Sequence, residues 1–350
     1  VTQPARVLLV DDSAFVRRAT ERMLAPLAGV SVVGFARDGE EAVQQVRDLR
    51  PDLVIMDVEM PGMDGVAALE RIMRECPTPV LLLSSHTRDG AEITLRALEH
   101  GAVDFLDKGG AASSMDIHAL APVLREKVWA VLKARTDPLR APAESGRAAR
   151  AVDSAPAPAH PGRYEVVAIG TSTGGPRALA ELIPALPAGF AAAVVVAQHM
   201  PAGFTETLSE RLDKRSPLRV SEARDGDAVL PGCVLIAPGG RQMELRRTGG
   251  ALTVHVFDDP GQLHKPSVDL LFRSVARVAG AASVGVVLTG MGSDGAAGLE
   301  GIRAAGGRTF VESARTAVIN GMPAAARGAA ERDLALDEVA GVLAAIVGAE

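Results

Sequence analysis

Residues 6–26 read RVLLVDDSAFVRRATERMLAP. Arg6–Val10 is a short, mostly aliphatic run, the pattern of a buried strand. Two carboxylates follow, Asp11 and Asp12. Ser13 then stands as a suitable N-cap for a helix reaching Pro26. The same unit recurs four more times. Val30–Ala36, Leu53–Asp57, Val80–Ser84 and Ala102–Leu106 read as strands. Helical patterns near Gly39–Leu49, Val66–Cys76, Ala91–Gly101 and Ile117–Lys133 follow them in turn. Alternation of this kind predicts a doubly wound five-stranded parallel sheet covered on both faces, the flavodoxin-like form of an α/β fold.

Beyond it the character changes. Residues 136–163 carry five prolines, many alanines and almost no large apolar side chain, which predicts an interdomain linker. From Tyr164 the alternation resumes, with strands at Val166–Ile169, Ala192–Val196, Arg219–Glu222, Cys233–Ala237, Ser283–Leu288 and Thr309–Val311. Gln242–Arg247 and Leu252–Phe257 flank Thr248–Gly250 as a hairpin. The expectation is a doubly wound parallel α/β domain at 1–135, a linker at 136–163, and at 164–350 a doubly wound, mostly parallel α/β domain with an antiparallel hairpin.

Composition narrows the function classes. A net charge of −6 and 3% aromatic residues supply neither the basic footprint nor the stacking rings of a nucleic-acid binder. The two cysteines, Cys76 and Cys233, form no CxxC pair and no disulfide framework. The longest apolar stretch, Phe190–Ala197, is far shorter than a membrane span. A cytoplasmic monomer, not inserted in a membrane, is expected.

In an open α/β sheet, ligands sit beyond the carboxyl ends of the strands. There the first domain presents Asp11, Asp12 and Asp57, together with the Ser84 hydroxyl and the Lys108 ammonium. Three converging carboxylates call for a hard divalent cation, and the whole set suits phosphoryl transfer to a carboxylate. The segments VLLVDDS (7–13), IMDVEMPGMDG (55–65), VLLLSS (80–85) and DFLDK (104–108) resemble the receiver domain of two-component response regulators. The resemblance implies that Asp57 is the phosphoacceptor. It also implies that Asp11, Asp12, Asp57 and the Glu59 backbone carbonyl hold Mg2+. Ser84 and Lys108 would bind the phosphoryl group, with Phe105 at the aromatic switch position. Gly109 stands where receivers usually have proline.

In the second domain, Gly170–Gly174 (GTSTG) fits G-x-S-x-G, a turn that exposes a serine hydroxyl, although Ser172 or Thr173 could equally cap the following helix. Neither GxGxxG nor GxxxxGK[ST] fits this loop. A nucleophilic serine needs a base and the base an orienting acid. His199 and Asp294 each follow a strand at the same predicted sheet edge, and the Gly290–Gly292 loop offers free backbone N–H groups. His255 reads as a structural residue within a strand, and His264 as either structural or lining the site. The segments IGTSTGGP (169–176), QHMPAGFT (198–205), HKPSVD (264–269) and LTGMGSDGA (288–296) resemble the catalytic domain of chemotaxis protein-glutamate methylesterases. With the receiver and linker ahead of it in the right order, the resemblance covers essentially the whole chain. It implies hydrolysis of glutamate γ-methyl esters on chemoreceptors, and deamidation of receptor glutamines, by Ser172, His199 and Asp294, with the Met291 N–H on the oxyanion and no cofactor in this domain. A chemotaxis histidine kinase would be the phosphodonor, and phosphorylation would relieve a receiver covering the Ser172 edge. The rival reading is a phosphorylation-gated binding module whose Gly170–Pro176 loop holds an anion without turnover.

Overall fold

The computed structural model describes residues 3–85, 87–109, 120–136 and 164–348; the 136–163 segment read as a linker lies almost wholly outside them. The chain forms two compact units, divided between residues 137 and 138.

In the first unit the strands are β1 (Ala5–Val10), β2 (Val30–Ala36), β3 (Leu53–Asp57), β4 (Val80–Ser84) and β5 (Asp104–Asp107). They alternate with helices α1 (Ala14–Leu24), α2 (Gly39–Leu49), α3 (Gly65–Glu75), α4 (Arg88–Glu99) and α5 (Ala121–Thr136). The sheet is wholly parallel in the order β2-β1-β3-β4-β5. Every residue of β3 and β4 is buried, as expected of central strands covered on both faces. Ser13 caps α1, its hydroxyl accepting from the Val16 N–H at 3.4 Å.

The second unit contains β6 (Val166–Thr171), α6 (Gly175–Leu182), β7 (Ala193–Gln198), α7 (Phe204–Asp213), β8 (Arg219–Glu222) and β9 (Cys233–Ile236). There follow β10 (Gln242–Thr248), β11 (Ala251–Phe257), α8 (Val268–Ala279), β12 (Ser283–Val287) and α9 (Ala296–Ala304). The unit ends with β13 (Arg308–Glu312), α10 (Gly321–Ala326), β14 (Arg332–Leu334) and α11 (Leu336–Val347). Its seven-stranded sheet, β14-β13-β12-β6-β7-β9-β8, is parallel throughout. The antiparallel pair β10–β11 is a separate ribbon closed by the two residues Gly249 and Gly250. From β6 the chain winds one way to β7; from β12, on the other side of β6, it winds away to β13. The crevice between β6 and β12 is therefore the switch point where ligands bind. A core of Val195, Leu235, Leu271, Phe272 and Leu299 packs the ribbon, α8 and α9 onto this sheet. Helix α10 and strand β14 escape the sequence pattern: Pro323 breaks the helical one, and β14 is three residues long with two exposed charges.

Candidate active site

The carboxyl ends of β1 and β3 bring Asp11, Asp12 and Asp57 together, with carboxylate oxygens within 4.8 Å of one another. Asp11 and Asp57 are 2% and 3% exposed, so their charges are costly. Burial, reinforced by the Asp57 charge, pushes the Asp11 carboxyl up to about 7. Burial also raises Asp57, against the Lys108 ammonium, which lies 2.8 Å from its Oδ1. Asp11 Oδ1 accepts from the Ser13 N–H at 2.9 Å, whereas the buried Oδ2 has no hydrogen-bond partner among the described residues. An orphaned buried carboxylate oxygen among three acids fits a divalent cation with oxygen ligands. The Glu59 N–H reaches Asp57 Oδ1 at 3.4 Å, which places the Glu59 backbone at the same edge. Ser84 is buried at the end of β4, its hydroxyl accepting from Thr94 at 2.6 Å and donating to the Gly90 carbonyl at 3.4 Å. Phe105 is buried within β5. Gly109 has φ +64 and donates its N–H to Asp107 Oδ1 at 2.9 Å, a backbone conformation closed to proline.

In the second unit, Thr171 and Gln198 are paired across β6 and β7, so Ser172 and His199 emerge side by side from adjacent strand ends. Gln198, itself buried, ties the two turns, its Nε2 donating to the Ser172 carbonyl at 3.0 Å and to the His199 carbonyl at 3.1 Å. Helix α6 is capped by Gly174 at φ +81, with no side-chain hydrogen bond at its N-terminus. Ser172 is therefore not a helix cap. Its half-buried hydroxyl makes no hydrogen bond among the described residues. Among the described residues, Ser172 and His199 are thus neighbours that share no side-chain hydrogen bond.

His199 Nε2 and Asp294 Oδ2 are 2.9 Å apart. Asp294 is held in turn by the start of α8. Its Oδ2 also accepts from the Val268 N–H at 2.7 Å, and its Oδ1 from the Asp269 N–H at 2.9 Å and the Ser267 hydroxyl at 3.1 Å. Burial alone would raise this carboxyl, but the His199 contact and these backbone N–H groups hold it down at about 2. With Nε2 committed to a carboxylate, the neutral imidazole carries its proton there and Nδ1 is the basic nitrogen. The His264 ring stacks on His199, centroids 4.4 Å apart and 6° from parallel. His264 therefore lines the site, whereas His255 pairs with Asp225 at 2.8 Å as a structural residue.

The loop after β12 packs directly against the serine. A Cβ on Gly290 would stand 2.9 Å from Ser172 Cβ and 2.3 Å from Met322 Sδ, so only glycine fits. The Ser172 N–H is spent on the Thr289 carbonyl at 3.0 Å and the Gly290 N–H on Ile319 at 2.9 Å. Among the described residues, the Met291 N–H donates to no acceptor, which leaves it available to a ligand. Sequence reasoning missed Glu312, buried at the end of β13, whose Oε2 accepts the Thr289 N–H at 2.8 Å. The set as a whole provides a hydroxyl, a carboxylate-oriented base and a free N–H at one edge, the parts of an acyl-transfer site.

Residues 167–343 match the family model described as CheB methylesterase, and residues 7–119 the response regulator receiver domain. The protein-glutamate methylesterase/protein-glutamine glutaminase 3 of Geobacter sulfurreducens is 45% identical over 357 residues, covering 95% of each chain. A protein-glutamate methylesterase/protein-glutamine glutaminase of Alkalilimnicola ehrlichii is 44% identical, covering 97% of this chain and 98% of that one. Among solved structures, the Thermotoga maritima CheB methylesterase catalytic domain matches with a TM-score of 0.50 and 39% identity, covering 51% of this chain and 97% of that one.

Proposed function

The chain belongs to the CheB methylesterase family, with a response regulator receiver domain ahead of the esterase domain, and from that premise we propose that it is a serine hydrolase that removes methyl groups from glutamate γ-methyl esters of chemoreceptors. The observation that carries this reading is the 2.9 Å contact between His199 Nε2 and Asp294 beside the half-buried Ser172, which caps no helix.

Ser172 Oγ attacks the ester carbonyl carbon and His199 Nδ1 takes its proton. Asp294, kept ionised, orients the ring and stabilises the imidazolium. The negative oxygen of the tetrahedral intermediate accepts from the Met291 N–H. As the C–O bond to the methoxy group breaks, His199 returns the proton and methanol leaves. Water then adds to the acyl-serine with His199 again as base, giving the glutamate carboxylate and free Ser172. With a receptor glutamine the same steps release ammonia, the glutaminase activity named in the relatives.

In the receiver, Asp57 accepts a phosphoryl group from a chemotaxis histidine kinase and the modification raises esterase activity. Asp11, Asp12, Asp57 and the Glu59 carbonyl would hold Mg2+, which supplies charge neutralisation for phosphoryl transfer. Lys108 is placed to pair with the phosphoryl group. The Ser84 hydroxyl would exchange its long Gly90 bond for a phosphoryl oxygen, with Phe105 following as the switch. This reading places the protein in the cytoplasm, acting as a monomer on receptor helices.

Methanol release from methylated receptor tests the assignment. Ser172→Ala should lower the rate by about 10^4-fold or more. A phosphonate reagent should label Ser172 covalently; failure of both would favour an anion-binding module without turnover.

A further inference from the structure

Thr289 uses every polar group it has. Its N–H goes to Glu312 Oε2 at 2.8 Å. Its carbonyl takes the Ser172 N–H at 3.0 Å and the Thr171 hydroxyl at 2.8 Å. Its hydroxyl donates to the Thr173 carbonyl at 2.9 Å and accepts from the Ile319 N–H at 2.9 Å. One buried residue thus joins the serine turn, the Gly290–Met291 loop and the 319–322 strap, which in turn holds Gly290 through the Met322 N–H at 2.8 Å.

Glu312 is the outer anchor of this hub. It is 1% exposed, and no cation pairs with it among the described residues. Burial pushes its carboxyl up to about 7, against the hydrogen bonds from Thr289 N–H and Thr316. An apolar side chain at this position would leave the buried Thr289 N–H without its acceptor. Here the acceptor is required by a main-chain N–H one residue before the glycine that touches Ser172.

We propose that Glu312 is a positioning residue for catalysis: acting through the Thr289 peptide, it sets the spacing between the Ser172 hydroxyl and the Met291 N–H. The proposal rests on the serine-hydrolase reading. In a tetrahedral intermediate that spacing must be held to a fraction of an ångström, whereas substrate docking outside it is unaffected. Loss of the carboxyl therefore acts on kcat and on tetrahedral analogues, not on KM.

The test uses the full chain with methylated receptor, a small-molecule phosphodonor, and Glu312→Ala, Glu312→Gln and Ser172→Ala variants. A phosphonate titration of Ser172 normalises the parent and Glu312 rates to the active fraction, and Ser172→Ala is compared per total protein. Glu312→Ala should lose about 10- to 100-fold in kcat with KM within 2-fold, and bind a boronic acid weaker by a similar factor. Glu312→Gln, which keeps an acceptor, should stay within about 3-fold of the parent. Should Glu312→Ala not fold, Glu312→Asp, whose carboxylate is withdrawn by one methylene, carries the same expectation. Unchanged kcat and boronate affinity per active site in the shortened variant, or a Gln variant as impaired as Ala, overturns the proposal. If Ser172→Ala is inactive at the same time, the hydrolase reading survives that failure; if Ser172→Ala retains the parental rate, both fall.

Discussion

At the scale of single residues, the active site is governed by where protons and charges are held. Asp294 gains three donors at the start of α8 and a fourth from His199, and its carboxyl sits at about 2 in spite of burial. A carboxyl lowered on folding contributes stability that is fully present above its unfolded value near 4 and is lost as pH falls toward 2. The shift corresponds to about 2–3 kcal/mol. Denaturant unfolding of the parent and Asp294→Asn should therefore differ most above pH 5, and the gap should shrink below pH 4. A gap independent of pH would mean that the carboxylate charge is not what these donors hold. Ser172, His199 and Asp294 stood out in the sequence because each follows a strand in an irregular loop, Ser172 and Asp294 among glycines, where a polar side chain has no packing reason to be. His264 was only half legible, since the irregular stretch before it has no periodicity to place its ring. Glu312 closes the strand that begins at Arg308, and one acid at a strand end looks like a solvent-facing residue until the sheet shows Thr289 above it.

Among the elements, helix α8 does two things with one cap. The Ser267 hydroxyl accepts from the Leu270 N–H at 3.3 Å and donates to Asp294 at 3.1 Å. Ser267→Ala should cost about 1 kcal/mol of stability, the usual value of a lost N-cap. It should also lower kcat several-fold, because the carboxylate loses a donor, while Ser267→Thr restores both. A stability loss measured by thermal unfolding with no change in kcat would reduce Ser267 to a cap. Most strands of both sheets follow from their aliphatic runs, within one or two residues of the expected bounds. The hairpin strands run closer together than expected, Thr248 pairing with Ala251, because two glycines with positive φ suffice for the turn. What the pattern could not show is β14, whose three residues are held by pairing to β13 and not by apolar content.

For the whole molecule, the two units hold separate chemistries on the same architectural rule, a parallel sheet presenting its loops at one end. Among the described residues no helix is long and apolar enough to cross a membrane. In the full chain, a small phosphodonor with Mg2+ should raise methanol release severalfold, and Asp57→Asn should abolish that response while leaving the basal rate in place. A response that persists in Asp57→Asn would move the phosphorylation site elsewhere. The ribbon turn at Gly249–Gly250 has a further consequence. It lies in the chain between His199 and Asp294, yet outside the parallel sheet. A break there yields one piece carrying Ser172 and His199 on β6–β9, and another carrying Asp294 on β12. The two can rejoin along the five-residue register Ser283–Val287 against Val166–Gly170 and along the ribbon itself. Neither piece alone owns a complete acid–base pair, so ester hydrolysis should appear only when both are mixed, making the enzyme a reporter of its own reassembly.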